Sequence, residues 1–210
     1  MKIIDIENWK RKEHFEFFSK LANPSFGITT EVDCTIAYEE AKSKERSFFA
    51  HYFHKSMIAV NTVEELKLRL VDDKVVLFDT IDAGTTISRE DGTFGFIYVP
   101  FSPDFEIFNK ELQREINEVQ NSTGLRLKNE DLTLGLIRHS TLPWSHFSAL
   151  LNPSNLDNKD TVPKIVFGKF AIREGKKYLP VAIEAHHGLA DGLHITQYLN
   201  KFQKELNKTI

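Results

Sequence analysis

The stretch that most constrains this chain is Ala185-His186-His187-Gly188-Leu189-Ala190-Asp191-Gly192. The residues before it, 178–184, alternate as a strand does. Those after it, 194–207, carry the spacing of an amphipathic helix. Two histidines and an aspartate therefore stand at a strand-to-helix turn, where a rigid scaffold can present a reactive side chain. Counting the alternation back from the turn, His187 shares the apolar face of Leu179, Val181, Ile183 and Ala185, and His186 shares the other face with Glu184. Gly188 and Gly192 bracket the turn and allow it backbone angles closed to other residues. Three uses fit the pattern: a hydrogen-bonded core histidine, a zinc set drawn from His186, His187, Asp191 and His194, or a positioned base. Adjacent strand residues point to opposite faces, so His186 and His187 do not easily share one ion.

The rest of the chain narrows the classes. Its 210 residues show no linker-like stretch, so 1–210 reads as a single domain. An apolar share of 41% with seventeen Phe supplies a sizeable core. A net charge of −3 with interspersed signs gives no electrostatic case for nucleic acid. One cysteine, Cys34, excludes an internal disulfide framework and fits a reducing compartment. Residues 1–11 are charged and lack the apolar run of a signal peptide, and no stretch is apolar enough to span a membrane. The expectation is a soluble, cytoplasmic protein with no membrane partner.

Taken in order, residues 8–21 predict a helix with His14, Phe17, Phe18 and Leu21 on one face. Residues 26–36 alternate as a half-buried strand, which places Cys34 mid-strand. Residues 37–46 and 47–61 predict two helices. Residues 66–71 and 75–80 flank Asp72-Asp73-Lys74 as a hairpin. Asp91-Gly92 marks a turn, and 93–99 is an aromatic strand ended by Pro100. Residues 103–119 form an amphipathic helix with Pro103 in its first turn, and 121–131 a polar connection. Residues 132–140 read as a strand, broken at Leu142-Pro143-Trp144, and 145–161 as irregular. A second hairpin, 164–173 with 177–185, turns at Glu174-Gly175-Lys176, with Pro180 awkward inside it. This order predicts an α/β two-layer sandwich, its sheet mixed and mostly antiparallel with helices on one face.

Several chemistries are missing. There is no GxxxxGK[ST] loop, no GxGxxG fingerprint and no GxSxG elbow. A histidine without a nucleophile motif beside it points to a general base that deprotonates the substrate itself.

The run from His186 to His194 resembles the HHxxxDG signature of type A chloramphenicol acetyltransferases. Trp9-Lys10-Arg11-Lys12-Glu13-His14-Phe15 resembles their W-x-R-x-E-H-F opening, and Ser140-Thr141-Leu142-Pro143-Trp144 their S-x-L-P-W. The three occur in the family's order and cover nearly the whole chain.

The resemblance implies an acetyl-CoA-dependent O-acetyltransferase that needs no metal and forms no acyl-enzyme, and a homotrimer with active sites at subunit interfaces. By motif position His187 would be the base and Ser140 the donor to the oxyanion. Asp191 would pair with Arg11 to hold the turn. Trp144, Phe170 and Ser140 would face acetyl-CoA. Phe17, Phe18, Phe26, Phe101, Arg138 and Val166 would face the small hydroxyl acceptor, chloramphenicol or a related compound.

Three of these depart from the family. Arg138 stands where the family has Asn, Val166 where it has Thr, and Phe18 where it has Tyr. The catalytic set is thus kept while the acceptor pocket is altered. Besides chloramphenicol acetylation, this leaves open a diverged trimer with another acceptor, or a non-catalytic acyl-CoA or small-molecule binding protein. A buried Arg138 is expected to seek an anionic or carbonyl partner.

Overall fold

A computed structural model describes residues 1–127, 134–153 and 160–209. In chain order its elements are β1 (Lys2–Ile3), α1 (Lys12–Phe18), β2 (Ser25–Asp33), α2 (Thr35–Ser43), α3 (Phe48–Asn61), β3 (Leu68–Val71), β4 (Lys74–Leu77), β5 (Asp82–Ser88), β6 (Phe94–Val99), α4 (Phe105–Gln120), β7 (Leu136–Leu142), β8 (Lys164–Gly168), β9 (Ala171–Arg173), β10 (Lys176–His186) and α5 (Gly192–Leu206).

The main sheet has the order β2-β10-β8-β7-β5-β6, with β9 also pairing β10. β7 runs parallel to β5 and β8, and the other neighbours are antiparallel. A smaller sheet, β1-β4-β3, stands beside it. One face of the main sheet carries Ala83, Ile137, Ile165, Phe167, Val181 and Ile183. These form a single core with Phe53 and Met57 of α3, Phe108 and Leu112 of α4, and Tyr198 and Phe202 of α5. This is the mixed, mostly antiparallel α/β arrangement expected from the order of patterns.

Polar groups inside this core tie the helix layer to the sheet. Ser56 of α3 bonds Tyr198 of α5 at 2.7 Å and the His139 ring of β7 at 3.2 Å. The buried Lys55 ammonium donates to the carbonyls of Glu205 and Lys208 at 2.8 and 2.7 Å, satisfying acceptors that the end of α5 leaves open. Burial pushes His139 down to about 3, so it stays neutral as a hydrogen-bonding member of the core.

Several local expectations are corrected. The strand over 26–36 ends at Asp33, whose Oδ1 accepts from the backbone N–H and hydroxyl of Thr35 at 2.9 and 2.6 Å. That side-chain turn stops the strand and starts α2. Cys34 therefore sits at the N-cap of α2, not mid-strand, and burial pushes its thiol up to about 12. The helix over 8–21 divides into a 3-10 turn, Ile6–Asn8, capped by Asp5, and α1, because Trp9 between them is extended. Pro103 precedes the N-cap Asp104 of α4 instead of sitting in its first turn.

β5 was not expected at all. Its Gly84 packs so closely that an added Cβ would lie 3.3 Å from Leu136 Cδ1. β7 continues through Leu142, and 132–133 of its expected span lie outside the described residues. The same holds for 128–131 and 154–159 of the two expected irregular connections. The strand over 164–173 is interrupted between β8 and β9. Leu179 and Pro180 fall opposite that break, which is how β10 accommodates a proline.

Candidate active site

β10 delivers His187 one residue past its end. The His187 N–H donates to the Pro24 carbonyl at 2.8 Å, just before β2 begins. The ring stacks on Phe18 of α1, centroids 3.9 Å apart and 2° from parallel. Phe26 of β2 closes on it at 4.5 Å. Two aromatic walls fix the plane of the imidazole. Its Nδ1 is buried and meets no hydrogen-bonding atom among the described residues, which leaves Nε2 as the nitrogen able to meet a substrate.

His186 turns the other way. It is buried beside Phe15, and its Nδ1 accepts from the Gly188 N–H at 3.1 Å. Burial lowers it to about 4. Gly188 is needed for closeness: a Cβ there would lie 3.0 Å from His186 Cε1 and 3.1 Å from the Phe15 Cα. Gly192 has open space around it and no left-handed backbone, so the freedom expected of it is not used. Among the described residues no group of three His, Cys, Asp or Glu is arranged to hold a metal ion.

Asp191 is the N-cap of α5. Its Oδ2 lies 2.5 Å from Nη1 of Arg11, and Nη2 of Arg11 donates to the His187 carbonyl at 3.2 Å. The pair thus clasps the turn to the start of α1 and holds His187 by its main chain. Burial raises the Asp191 carboxyl, but the hydrogen bond from Arg11, the charges of His194 and Arg11 and the Leu193 N–H together hold it below the usual carboxylate value. The clasp therefore stays ionised at neutral pH and is lost only as pH falls through that lowered value.

Ser140 is not near His187 in this chain. Ser140 pairs Val166, and Val166 pairs Ala182, so the three form one row on the sheet face opposite His187. His187 lies five residues further along β10 and two strands across, roughly 19 Å away at ordinary strand spacings. Ser140, Arg138 and Val166 instead line one cavity of about 450 Å³ with Phe96, Ile97 and Leu136.

Arg138 is not buried. Its side chain is 44% exposed and pairs with Asp160 at 2.6 Å. Directly opposite it on β8 stands Lys164, neutralised by Glu184 at 3.1 Å. Phe101 follows β6 at the far edge of the sheet from β2, so it too stands apart from Phe18 and Phe26. Phe17 is 62% exposed on α1, edge-on to Phe18.

Trp144 and Phe170 line a second cavity of about 450 Å³, on the helix side, with Phe48, Tyr52, Ile87 and Leu179. Trp144 is 71% exposed at its mouth. Thr86 lines both cavities, so they approach one another around β5. Sequence reasoning missed Thr86 because it missed β5. It weighed His194 only as a zinc ligand, although a polar residue three positions after an Asp N-cap is the signal of a reciprocal helix cap.

Residues 1–203 match the family profile described as "Chloramphenicol acetyltransferase". "Chloramphenicol acetyltransferase 3" of Escherichia coli is 26% identical over 98% of this chain and 97% of its own. The chloramphenicol acetyltransferase of Bacillus pumilus is 30% identical over 92% of this chain and 88% of its own. A solved structure of a chloramphenicol acetyltransferase superposes with a TM-score of 0.91 at 35% identity, covering 98% of this chain and 99% of that one.

Proposed function

Because the chain belongs to the chloramphenicol acetyltransferase family and is an acetyl-CoA-dependent acetyltransferase, we propose that it transfers the acetyl group of acetyl-CoA to a hydroxyl of chloramphenicol or a related small acceptor, with His187 as general base. The observation that carries this is the held imidazole: stacked on Phe18 with Phe26 tilted against it, fixed through its main chain by Pro24 and Arg11, with one ring nitrogen free.

Nε2 of His187 takes the proton as the acceptor oxygen attacks the thioester carbonyl carbon. The carbonyl oxygen becomes an oxyanion, and the Ser140 hydroxyl donates to it. The tetrahedral species then expels the CoA sulfur, which takes the proton back from the imidazolium as free thiol. No acyl-enzyme forms, and the base ends as it began.

This scheme needs His187 and Ser140 within reach of one substrate. A separation of roughly 19 Å within the chain supports a site built between two copies. The reading is therefore a closed homotrimer in which His187 of one copy faces the Ser140 cavity of the next. The aromatic cavity of Trp144 and Phe170 would take acetyl-CoA, and the cavity of Arg138 and Val166 the acceptor.

A second reading concerns the acceptor alone. The ion-paired Arg138 and the apolar Val166 beside Ser140 favour a small hydroxylated compound other than chloramphenicol.

Release of free CoA thiol from acetyl-CoA, with and without chloramphenicol, tests both. Release that depends on chloramphenicol supports the first reading. Release that appears only with other alcohols supports the second. Tight acetyl-CoA binding with no transfer to any of a broad alcohol panel would overturn catalysis and leave a binding protein. No helix among the described residues is long and apolar enough to cross a membrane.

A further inference from the structure

We infer that His194 is a positioning residue for the His187 base. It acts through Asp191 and Arg11. The inference rests on the proposed role of His187.

The contacts form an unbroken chain. The Asp191 N–H donates to His194 Nδ1 at 3.1 Å while the Asp191 carboxylate accepts at the start of α5, a reciprocal cap. Nε2 of His194 lies 3.3 Å from Oε1 of Glu65, in the 3-10 turn Glu64–Lys67 before β3. His194 is 8% exposed, while the side chains of Glu65 and Asp191 keep 25% and 29% of their surface open to water. Glu65 on one element thus meets the ring whose other nitrogen caps another element.

The capped Asp191 divides its carboxylate. Oδ1 accepts from the Leu193 N–H at 3.0 Å and lies 2.9 Å from His194 Nδ1, and Oδ2 meets Arg11. Arg11 in turn holds the His187 carbonyl. Turning the His194 ring would release the Asp191 N–H and let the carboxylate rotate to replace the lost acceptor. Arg11 would follow it, and the grip on His187 would loosen. The clasp spans four elements, and His194 is the member that fixes its orientation.

The test is a set of variants assayed over a range of acetyl-CoA concentrations up to saturation. His194→Ala is expected to lower kcat about tenfold, the scale of a small misplacement of a catalytic group, with KM for acetyl-CoA within about twofold because the aromatic cavity is untouched. His194→Gln keeps an acceptor at the third helical position and is expected to recover most of the lost kcat.

Unchanged kcat in His194→Ala overturns the inference, as does a folded His194→Gln no better than alanine. If His194→Ala fails to fold, the glutamine variant decides. His187→Ala run alongside separates the two claims: if it too keeps full turnover, the base assignment has failed, and not the positioning role alone.

Discussion

His187→Ala is expected to reduce turnover by about 10²–10⁴-fold, the usual contribution of a positioned base. Acetyl-CoA binding should survive, because the cavity lined by Trp144 and Phe170 lies on another part of the sheet. The loss should therefore fall on kcat, with little change in KM for acetyl-CoA. His187→Gln should be almost as inactive. It can fill the slot between Phe18 and Phe26, but an amide does not accept a proton at neutral pH. Folding should be little affected, since the main-chain contacts with Pro24 and Arg11 do not depend on the side chain. Thiol release assays with a thermal unfolding control measure both. Full activity in the alanine variant would end the base assignment.

Ser140→Ala carries the next largest expected effect, about 10²–10³-fold in kcat, the cost of removing one oxyanion donor. The hydroxyl lines the cavity without being part of the apolar core, so the change should be nearly silent in stability. Ser140→Thr retains an O–H, and the cavity has room for a methyl group, so it should keep more activity than alanine. A drop confined to KM for the acceptor would assign Ser140 to binding instead.

Much of the fold was legible because burial imposes a period. The alternation of β10 and the 3–4 spacing of α3, α4 and α5 were plain. The local failures each have a cause. Alternation carried on past Asp33 by chance, and only the Asp33 side-chain turn onto Thr35 stops the strand. β5 reads Asp-Ala-Gly-Thr-Thr-Ile-Ser, a poor strand by its own preferences. It is a strand because small residues fit between β7 and β6, a tertiary demand that local pattern does not carry.

The candidate site was legible unevenly. The face of His187 followed from counting, and its aromatic walls from no residue near it in sequence. Arg11 and Asp191 stand 180 positions apart, so only the motif resemblance could bring them together. Arg138 has the anionic partner expected of it if buried, Asp160, but it meets it while leaning out, 44% exposed. The separation of Ser140 from His187 was invisible until strand register placed them on opposite faces.

That separation also provides the most direct test of the account, which holds that one active site is shared between copies. His187→Ala and Ser140→Ala proteins, each nearly inactive, are mixed in equal amounts, unfolded and refolded together. If each site takes His187 from one copy and Ser140 from its neighbour, random assembly restores about a quarter of wild-type thiol release. No recovery from a properly assembled mixture would mean that each chain works alone, and the account would be wrong.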